Sequence, residues 1–523
     1  MRSAGTCVFS MLLVFGFGAS TAVAVTLCAT TDSLDTDCGD GSCWLEAALD
    51  VAATNNQDDV VRLVQGTFWA EDFDGFDYDS NQGDDLTVSG GWNAGCTNQT
   101  PDPTNTIIEG IASGTRMVLH NQAGGDILVR DVTVQNADWW NLFGLDVFTK
   151  VTGMGQTADV TIRNCIIQDN AGDGGLKVNT VVYDPGNLDA GSILIEDCII
   201  RDNGGTSGGV VVSSGSVDGD TGAIDILDNE ITGNNDTYFE TITQNGVARS
   251  ITIAGNMVTG NGPAGTGGGL EVRLTPGAGT AESVFVEHNQ ILDNVSNGGA
   301  GGLLVDAPAS TSAGVSGGTV FVVNNIIAGN TASSHGGAID LLSTGGGVAG
   351  DEGQRYVVNN TITGNEGGNW TETHGLLIRG RADSRIGVYN NIIWGNSPMA
   401  GGFDVRMWCD ANTTTWVYDN DIDLMYTGGI VHQGGNINDD PDFVAPLADD
   451  YHLSPSSVCV DVGDNTAPAA PAVDIDGEDR PADGDGNGTV IIDMGADEYM
   501  LPALIFADGF EIGNTSRWSV TFP

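Results

Sequence analysis

The stretches VFVVNNIIAGN at residues 320–330 and RYVVNNTITGN at residues 355–365 are two copies of one recurring phrase. Each copy opens with alternating apolar residues, passes through an asparagine-containing turn and closes on an asparagine. Successive closing asparagines are 27 to 36 residues apart. They are Asn170, Asn203, Asn234, Asn261, Asn294, Asn330, Asn365 and Asn396. Such a period is typical of a chain that coils repeatedly, each coil stacking on the one before.

Alternating β-branched residues predict a short strand at the start of every phrase. Most copies then run through a glycine-rich loop into a second short strand, such as GGLLV from Gly301. CWLEAALDV at residues 43–51 could form one short amphipathic helix, and no other segment longer than a turn has a convincing helical stripe of apolar residues. These features predict an all-β fold, a right-handed parallel β-helix. The alternative is a β-propeller, but its blades need about 40–50 residues and four strands each.

One position of the phrase holds only Ile or Val, from Ile167 to Ile393, and is predicted to form an interior row. A second position holds mostly asparagine, which suits left-handed turns and whose amide can hydrogen-bond the same amide one coil above and below. The predicted asparagine ladder comprises Asn229, Asn256, Asn289, Asn325, Asn360 and Asn391, preceded by Cys165 and Cys198.

The composition is strongly acidic. Lys and Arg number 17 against 70 Asp and Glu, which gives a formal net charge of -53. Nucleic acid and anionic membrane surfaces are therefore poor partners for this chain.

The N-terminus has the pattern of an export signal. Arg2 precedes an apolar run at residues 11–17 and the small-residue site Ala22-Val23-Ala24. This pattern predicts a signal peptide over residues 1–24, cleaved after Ala24. The run is too short to cross a bilayer, and we expect no transmembrane segment in the mature chain. The expected product is a monomer, secreted or held at the cell surface.

Eight cysteines remain after that cleavage, and an even number in an exported protein favours disulfides. The four N-terminal cysteines could pair among themselves, and Cys409 could bond Cys459. Cys165 and Cys198 are either bonded or stacked as small buried residues. The disulfide candidates are Cys28, Cys38, Cys43, Cys96, Cys165, Cys198, Cys409 and Cys459.

Both ends of the chain resemble modules of bacterial secreted β-helix proteins. Cys43-Trp44-Leu45-Glu46-Ala47, followed by Gly66-Thr67-Phe68, is similar to their N-terminal Cys-Ser-Leu-Arg-Glu-Ala segment, although Trp replaces Ser and the Arg is missing. The stretch DIDGEDRPADGDGNGTVIIDMGADEY at residues 474–499 resembles a C-terminal module of the choice-of-anchor type. The resemblance implies a family architecture and no particular activity.

These segments predict the domain organisation after the signal peptide. Residues 25–105 form an N-terminal cap with lead-in coils, and residues 106–430 form the β-helix. Residues 431–500 form the choice-of-anchor-like module, and residues 501–523 form a tail.

An acidic loop in the C-terminal module is the best candidate for a metal site. Asp483, Asp485 and Asn487, with Gly488 after them, match the start of a calcium loop. Asp493 is the further oxygen ligand, one residue short of the twelfth position. Calcium is thus the only cofactor expected, and the alternative is an acidic turn without metal.

Basic and aromatic residues concentrate in the last coils. Such groups on one face of a solenoid would suit a uronate chain, through bidentate contacts and ring stacking. The alternative is that the arginines neutralise excess Asp and the tryptophans cover the final coils. The candidate ligand-binding residues are Arg379, Arg381, Arg385, Arg406, Trp370, Trp394 and His374.

The sequence therefore predicts an exported β-helix protein of structural or adhesion type that binds polysaccharide or a neighbouring cell surface. The alternative is a polysaccharide lyase or glycoside hydrolase acting on acidic polysaccharide, by analogy with other parallel β-helices. The motifs of those enzymes are missing here, and no catalytic residue is assigned.

Overall fold

The computed structural model describes residues 24–501 except for residues 71–74, 111–115, 139–141, 154–157, 184–185, 187, 206–207, 263–267, 309–316, 335, 343–352, 369–372, 381–383 and 397–401. The predicted signal peptide up to residue 23 and the tail from residue 502 therefore lie outside the described residues. Within them, no helix is both long enough and apolar enough to span a membrane.

Three long parallel sheets run the length of the molecule, because each coil adds one strand to each sheet. This order confirms the predicted right-handed parallel β-helix. Sheet 1 has fifteen strands, in spatial order Ser42–Trp44, Val25–Thr30, Asp59–Val64, Leu86–Trp92, Ile127–Arg130, Val160–Arg163, Ile193–Glu196, Ile224–Leu227, Ile251–Ala254, Ser283–Glu287, Thr319–Val323, Gln354–Val358, Arg385–Tyr389, Thr414–Tyr418 and Ile430–Gly434.

Sheets 2 and 3 have twelve strands each. Sheet 2 comprises Gly66–Trp69, Thr106–Glu109, Thr133–Gln135, Ile166–Gln168, Ile199–Arg201, Glu230–Thr232, Met257–Thr259, Gln290–Leu292, Ile326–Ala328, Thr361–Thr363, Ile392–Trp394 and Asp421–Ile422. Sheet 3 comprises Phe76–Ser80, Met117–Asn121, Phe143–Lys150, Gly174–Val182, Val210–Ser216, Thr237–Thr243, Leu270–Thr275, Leu303–Asp306, Ile339–Leu342, Thr373–Ile378, Phe403–Met407 and Met425–Thr427.

A few short elements lie outside the three long sheets. Among the described residues, three 3-10 turns span Cys38–Asp40, Pro103–Asn105 and Pro446–Ala448, and one α-helix, α1, spans Leu45–Thr54. Val247–Ala248 and Thr280–Ala281 form a short parallel pair. A second small parallel sheet has the order Val295–Ser296, Thr331–Ala332, Glu366–Gly367. Phe443–Ala445 and Asp450–Leu453 form an antiparallel pair.

The N-terminal end of the solenoid is closed by α1. Leu45, Ala48 and Leu49 are fully buried against the first coil. Disulfides join Cys28 to Cys96 and Cys38 to Cys43 in the same region.

The core is an interior column of aliphatic side chains flanked by two buried rows of asparagine. In the predicted ladder, the backbone N–H and Nδ2 of Asn289 both donate to Asn325 Oδ1, at 2.9 and 3.0 Å. Asn325 Nδ2 in turn donates to the carbonyl of Val286 at 2.8 Å. The closing asparagines form a second, equivalent row, in which Asn294 donates to Asn330 Oδ1. Each amide is thereby satisfied although it is buried.

The residue before each ladder asparagine takes the left-handed conformation, with φ of 57° at Asn324, 52° at Asn359 and 55° at Asn390. The sequence predicts this conformation for the ladder residue itself, and that prediction is wrong by one position. The ladder amides point inward to bond the next coil, so the preceding residue makes the corner.

Among the described residues, four of the candidate cysteines, Cys165, Cys198, Cys409 and Cys459, form no disulfide. The thiols of Cys165 and Cys198 donate to backbone carbonyls at 3.3 and 3.2 Å, as the ladder asparagines do. Cys409 follows a strand of sheet 3, whereas Cys459 is buried in the C-terminal module and donates to Asp421 Oδ2 at 3.5 Å. The expected pair is absent because the two residues lie against different sheets.

Residues 430–434 still form a strand of sheet 1, although the C-terminal module was predicted to begin at residue 431. The rest of the module, residues 442–499, lies along the side of the solenoid. Asn359 Nδ2 donates to the Asp493 carbonyl at 2.9 Å, and Asn390 Nδ2 donates to the Asp464 carbonyl at 3.1 Å. Apolar residues of the module pack on the outer face of sheet 2, where Ile326 and Ile392 are buried. Sequence reasoning missed this contact, although the doubled asparagines at residues 324–325, 359–360 and 390–391 mark its coils.

Candidate ligand-binding site

The structure distributes the predicted ligand-binding residues over all three sheets. Arg385 begins the strand Arg385–Tyr389 of sheet 1, Trp394 ends a strand of sheet 2, and Arg406 lies in sheet 3. Trp370 and Arg381 lie outside the described residues. The residues therefore do not converge on one face, because successive strands of a coil belong to different sheets.

Two of the candidates are structural. His374 is fully buried, and its Nδ1 accepts the backbone N–H of Gly367 at 2.7 Å. Burial lowers the pKa of His374 and favours its neutral form. Trp394 packs against a buried cluster that includes Leu453, Cys459 and Met494 of the C-terminal module. Neither residue fits the predicted ligand-facing role.

Arg379 is held by a buried carboxylate. Its Nη2 lies 2.7 Å from Asp340 Oδ2, and Asp340 is 1% exposed. Burial raises the pKa of Asp340 to about 7, although Arg379 opposes the shift, and the neighbouring carboxylate of Asp306 adds to it. Arg379 thus compensates an acidic group of the protein, as the alternative interpretation of the arginines expected.

Arg406 has a different environment, on the outer face of sheet 3. Its guanidinium carbon lies 4.9 Å from the ring centroid of Trp408 and 5.9 Å from that of Tyr426. The two rings are 57% and 52% exposed, and Phe403 supports Tyr426 at 5.5 Å between centroids. We call Arg406, Trp408 and Tyr426 the aromatic platform.

The register of the strands explains why the platform forms. Arg406 pairs with Tyr426 in the next coil, so these side chains are adjacent on the same face. Trp408 follows Arg406 by two positions and therefore projects to that face as well. Large exposed rings around a cation provide apolar area together with hydrogen-bond donors, which suits a hydroxyl-rich planar ligand.

The predicted calcium loop is only partly assembled. Asp483 and Asp485 lie with Asp461 in a group whose ligand oxygens are within 4.8 Å of one another. Asp483 Oδ1 is buried and has no hydrogen-bond partner among the described residues, so the group fits a cation. Asn487 Oδ1 instead accepts the Thr489 N–H at 2.7 Å.

Asp493 differs from its predicted role as a calcium ligand. Its two carboxylate oxygens accept the backbone N–H groups of Asp461 and Tyr499, both at 2.6 Å. Burial and the nearby Glu498 raise the pKa of Asp493 to about 8. The residue is a buried anchor of the module and does not belong to the loop's oxygen cluster.

Comparisons with known proteins add little about function. No family model matches this chain, and no curated protein matches it. It is similar to the solved structure of the pectate lyase Pel9A, with 12% identity, a TM-score of 0.41, and coverage of 91% of this chain and 96% of that one. It is also similar to the catalytic domain of Agl-KA, with 15% identity, a TM-score of 0.35, and coverage of 74% and 65%. Neither likeness bears on what this chain binds.

Proposed function

We propose that this protein is an extracellular β-helix that binds carbohydrate on the aromatic platform of its last coils. The observation that supports this proposal is the pair of exposed rings, Trp408 and Tyr426, on either side of Arg406. Exposed aromatic rings that cluster in this way are typical of a ligand-binding surface. The surrounding charge of the chain favours a neutral glycan over a long polyanion.

A matched pair of variants tests the proposal. Trp408→Ala should lower the affinity for a bound neutral polysaccharide by about tenfold, the loss typical of a truncated aromatic anchor. Trp69→Ala is the control, because Trp69 is also half-exposed, at 49%, but lies in sheet 2 near the N-terminus. The measurement is retention on a glycan array, followed by calorimetry. Equal binding by both variants would remove the platform from the proposal.

Export, the structural or adhesion-type role and bacterial origin are parts of the same proposal. The disulfides Cys28–Cys96 and Cys38–Cys43 support an oxidising location outside the cytosol. The likeness of the end segments to the modules of bacterial β-helix surface proteins remains a prediction. N-terminal sequencing of the exported protein tests the cleavage after Ala24.

Glycoside hydrolysis is a second candidate function, because Asp340 and Asp306 are neighbouring carboxylates of sheet 3, as the acid and base of a glycosidase are. Burial raises the pKa of Asp340 to about 7, but its side chain is 1% exposed and paired with Arg379, so a substrate would have to displace that pair. Release of reducing sugar from polysaccharides by the mature protein, abolished in Asp340→Asn, would establish it. Binding without any turnover would leave the platform proposal alone.

We also propose calcium binding by Asp461, Asp483 and Asp485. The buried, unpartnered Oδ1 of Asp483 supports a cation at this position. Millimolar calcium should raise the thermal stability of the intact protein, and Asp483→Asn should reduce that rise. Asp50→Asn is the control, because it removes an equal charge at an exposed position of α1 outside the module. The absence of any calcium effect on the unsubstituted protein would contradict the proposal.

A further inference from the structure

A column of aromatic rings runs along the outer face of sheet 1 and is interrupted at one coil. Phe285, Phe321 and Tyr356 stack with centroids 5.1 and 5.3 Å apart. Two coils beyond Tyr356, Trp416 stacks on His432 at 6.0 Å. The register places Gly387 in the same column, between Tyr356 and Trp416. The column therefore lacks one ring.

The interruption at Gly387 forms a cavity of about 200 Å³. Tyr356 and Trp416 bound it across the strands, two strand spacings or about 9.6 Å apart. Arg385 and Tyr389 bound it along the strand, since each is two positions from Gly387 and projects to the same face. Pro468 of the C-terminal module closes a further side.

Glycine is required at the floor of this cavity. A Cβ at residue 387 would lie 2.5 Å from Cε2 of Tyr389 and 3.1 Å from Cδ1 of Tyr356. The rings of Tyr389 and Tyr356 therefore lie over Gly387, in the space that a side chain at residue 387 would need. The cavity is thus built by packing of the surrounding rings, and its walls are backed by the rest of the column.

Arg385 gives the cavity its charge. Among the lysines and arginines that the structure describes, it alone has no hydrogen-bond, ion-pair or ring partner, in a chain with 70 acidic residues. Arg385 is exposed and lines the cavity beside Gln354. The Oε1 atom of Gln354 accepts a hydrogen bond from the Tyr356 hydroxyl. An unpaired guanidinium next to aromatic walls is suited to a carboxylate on a ring.

We propose that this cavity binds a single six-membered ring bearing a carboxylate, and that the bound ring completes the interrupted aromatic column. The volume is below that of pockets for drug-sized ligands, about 300–1,000 Å³, and so admits one ring and not a chain of them. The ring stacks on Tyr389, which covers Gly387, in the space between Tyr356 and Trp416, while its carboxylate pairs with Arg385. A terminal uronic acid residue and an aromatic carboxylate share this chemistry.

Calorimetry on the intact mature protein tests the proposal with three probes: glucuronate, benzoate and glucose. We expect a carboxylate probe to bind and glucose to bind at least tenfold more weakly. Preference for glucuronate or for benzoate identifies the sugar or the aromatic acid as the source of the ring. Equal affinity for glucose and both carboxylates would overturn the proposal.

Variants separate the cavity from the rest of the column. Arg385→Ala should abolish the preference for carboxylates, whereas Arg385→Lys should restore part of it. Trp416→Ala should weaken every ring ligand about tenfold. Phe285→Ala is the control, because Phe285 belongs to the column but lies away from the cavity. Binding that survives both Arg385→Ala and Trp416→Ala would overturn the proposal. Trp408→Ala should leave carboxylate binding unchanged, which distinguishes this cavity from the aromatic platform.

Discussion

The N-terminal and C-terminal segments of the chain pack on different parts of the solenoid. At the N-terminus, α1 buries Leu45 and Leu49 on the first coil and closes the core. At the C-terminus, residues 442–499 turn away along the side of sheet 2. The strands Met425–Thr427 and Ile430–Gly434 are the last of their sheets, and Tyr426 and Ile430 are 52% and 50% exposed.

This difference indicates that the N-terminal cap and the C-terminal module have different roles. A cap is needed where an apolar core would otherwise meet water, and α1 has that role. The C-terminal module instead covers outer positions of coils that already have a closed core, and it contributes Pro468 to the cavity beside Arg385. The cap should therefore determine the stability of the solenoid, and the module should change surface properties with little effect on the coils.

The largest expected effect is on the attachment of the module. The buried side chain of Arg480 bonds Glu498 through Nε at 2.9 Å and donates from Nη1 to Asn324 Oδ1 at 2.9 Å. Arg480→Met would leave Glu498 as an uncompensated buried charge, which lowers the module's free energy of unfolding by about 3–5 kcal/mol. Hydrogen exchange should accelerate in residues 442–499 and stay unchanged in sheet 3.

Arg163→Met is the matched control for Arg480→Met. Arg163 also pairs with a glutamate, Glu196, but its side chain is 52% exposed, and such pairs contribute about 1 kcal/mol or less. If Arg480→Met accelerated exchange throughout the coils, the module would be part of the solenoid's cooperative unit and the contrast between the two ends would fail.

Truncation inside the cap should have the next largest effect, and it should act on the coils. Leu49 is 0% exposed beneath the first coil. Leu49→Ala would lose about 3 kcal/mol through a cavity in the core. Hydrogen exchange should then accelerate in the first strands of sheet 1, and the module should keep its protection. The exposed Asp50, changed to Ala, is the control on the same helix.

The coil could be predicted from the sequence, and the positions of the outer side chains could not. Inward residues such as Ile327 and Ile362 repeat with the phrase because each meets its own equivalent in the next coil. Arg385, Trp394 and Arg406 are close in sequence but lie in three sheets, so their clustering in the chain does not bring them together. Docking of the module also depends on contacts such as Asn359 with Asp493, which are far apart in sequence.

A ladder residue in the middle of the solenoid tests how much the asparagine ladder stabilises the coils between the two ends. Asn325→Ala would remove the acceptor for two buried donors of Asn289. Buried donors without partners are costly, so we expect a loss of about 2–3 kcal/mol. The urea midpoint measures this loss, and Asn245→Ala, at an exposed position that bonds Asp218, is the control. Equal midpoints for both variants would contradict a stabilising role of the ladder.

The smallest expected effect is a pH dependence confined to the module. Partial burial lowers the pKa of His452, but hydrogen bonds with Asp450 and Asp476 outweigh it and, with Asp497 nearby, raise the pKa to about 9. The imidazolium therefore stabilises the fold fully below its unfolded pKa of about 6.5, and this contribution is lost as the pH rises through 9. The exposed position of His452 keeps the effect small.

Hydrogen exchange of residues 442–499 at pH 6 and pH 9.5, corrected for the intrinsic pH dependence of exchange, measures this contribution. The pKa of Asp493 is about 8, so ionisation of this buried carboxyl should also lower the module's stability as the pH rises. The comparison is therefore between the unsubstituted protein and His452→Gln, which both keep Asp493. The variant should lose part of the difference between the two pH values. His432→Gln in the last coil should retain it, since His432 stacks on Trp416 away from these carboxylates. A pH dependence that is the same in both variants would show that His452 does not link the module's stability to pH.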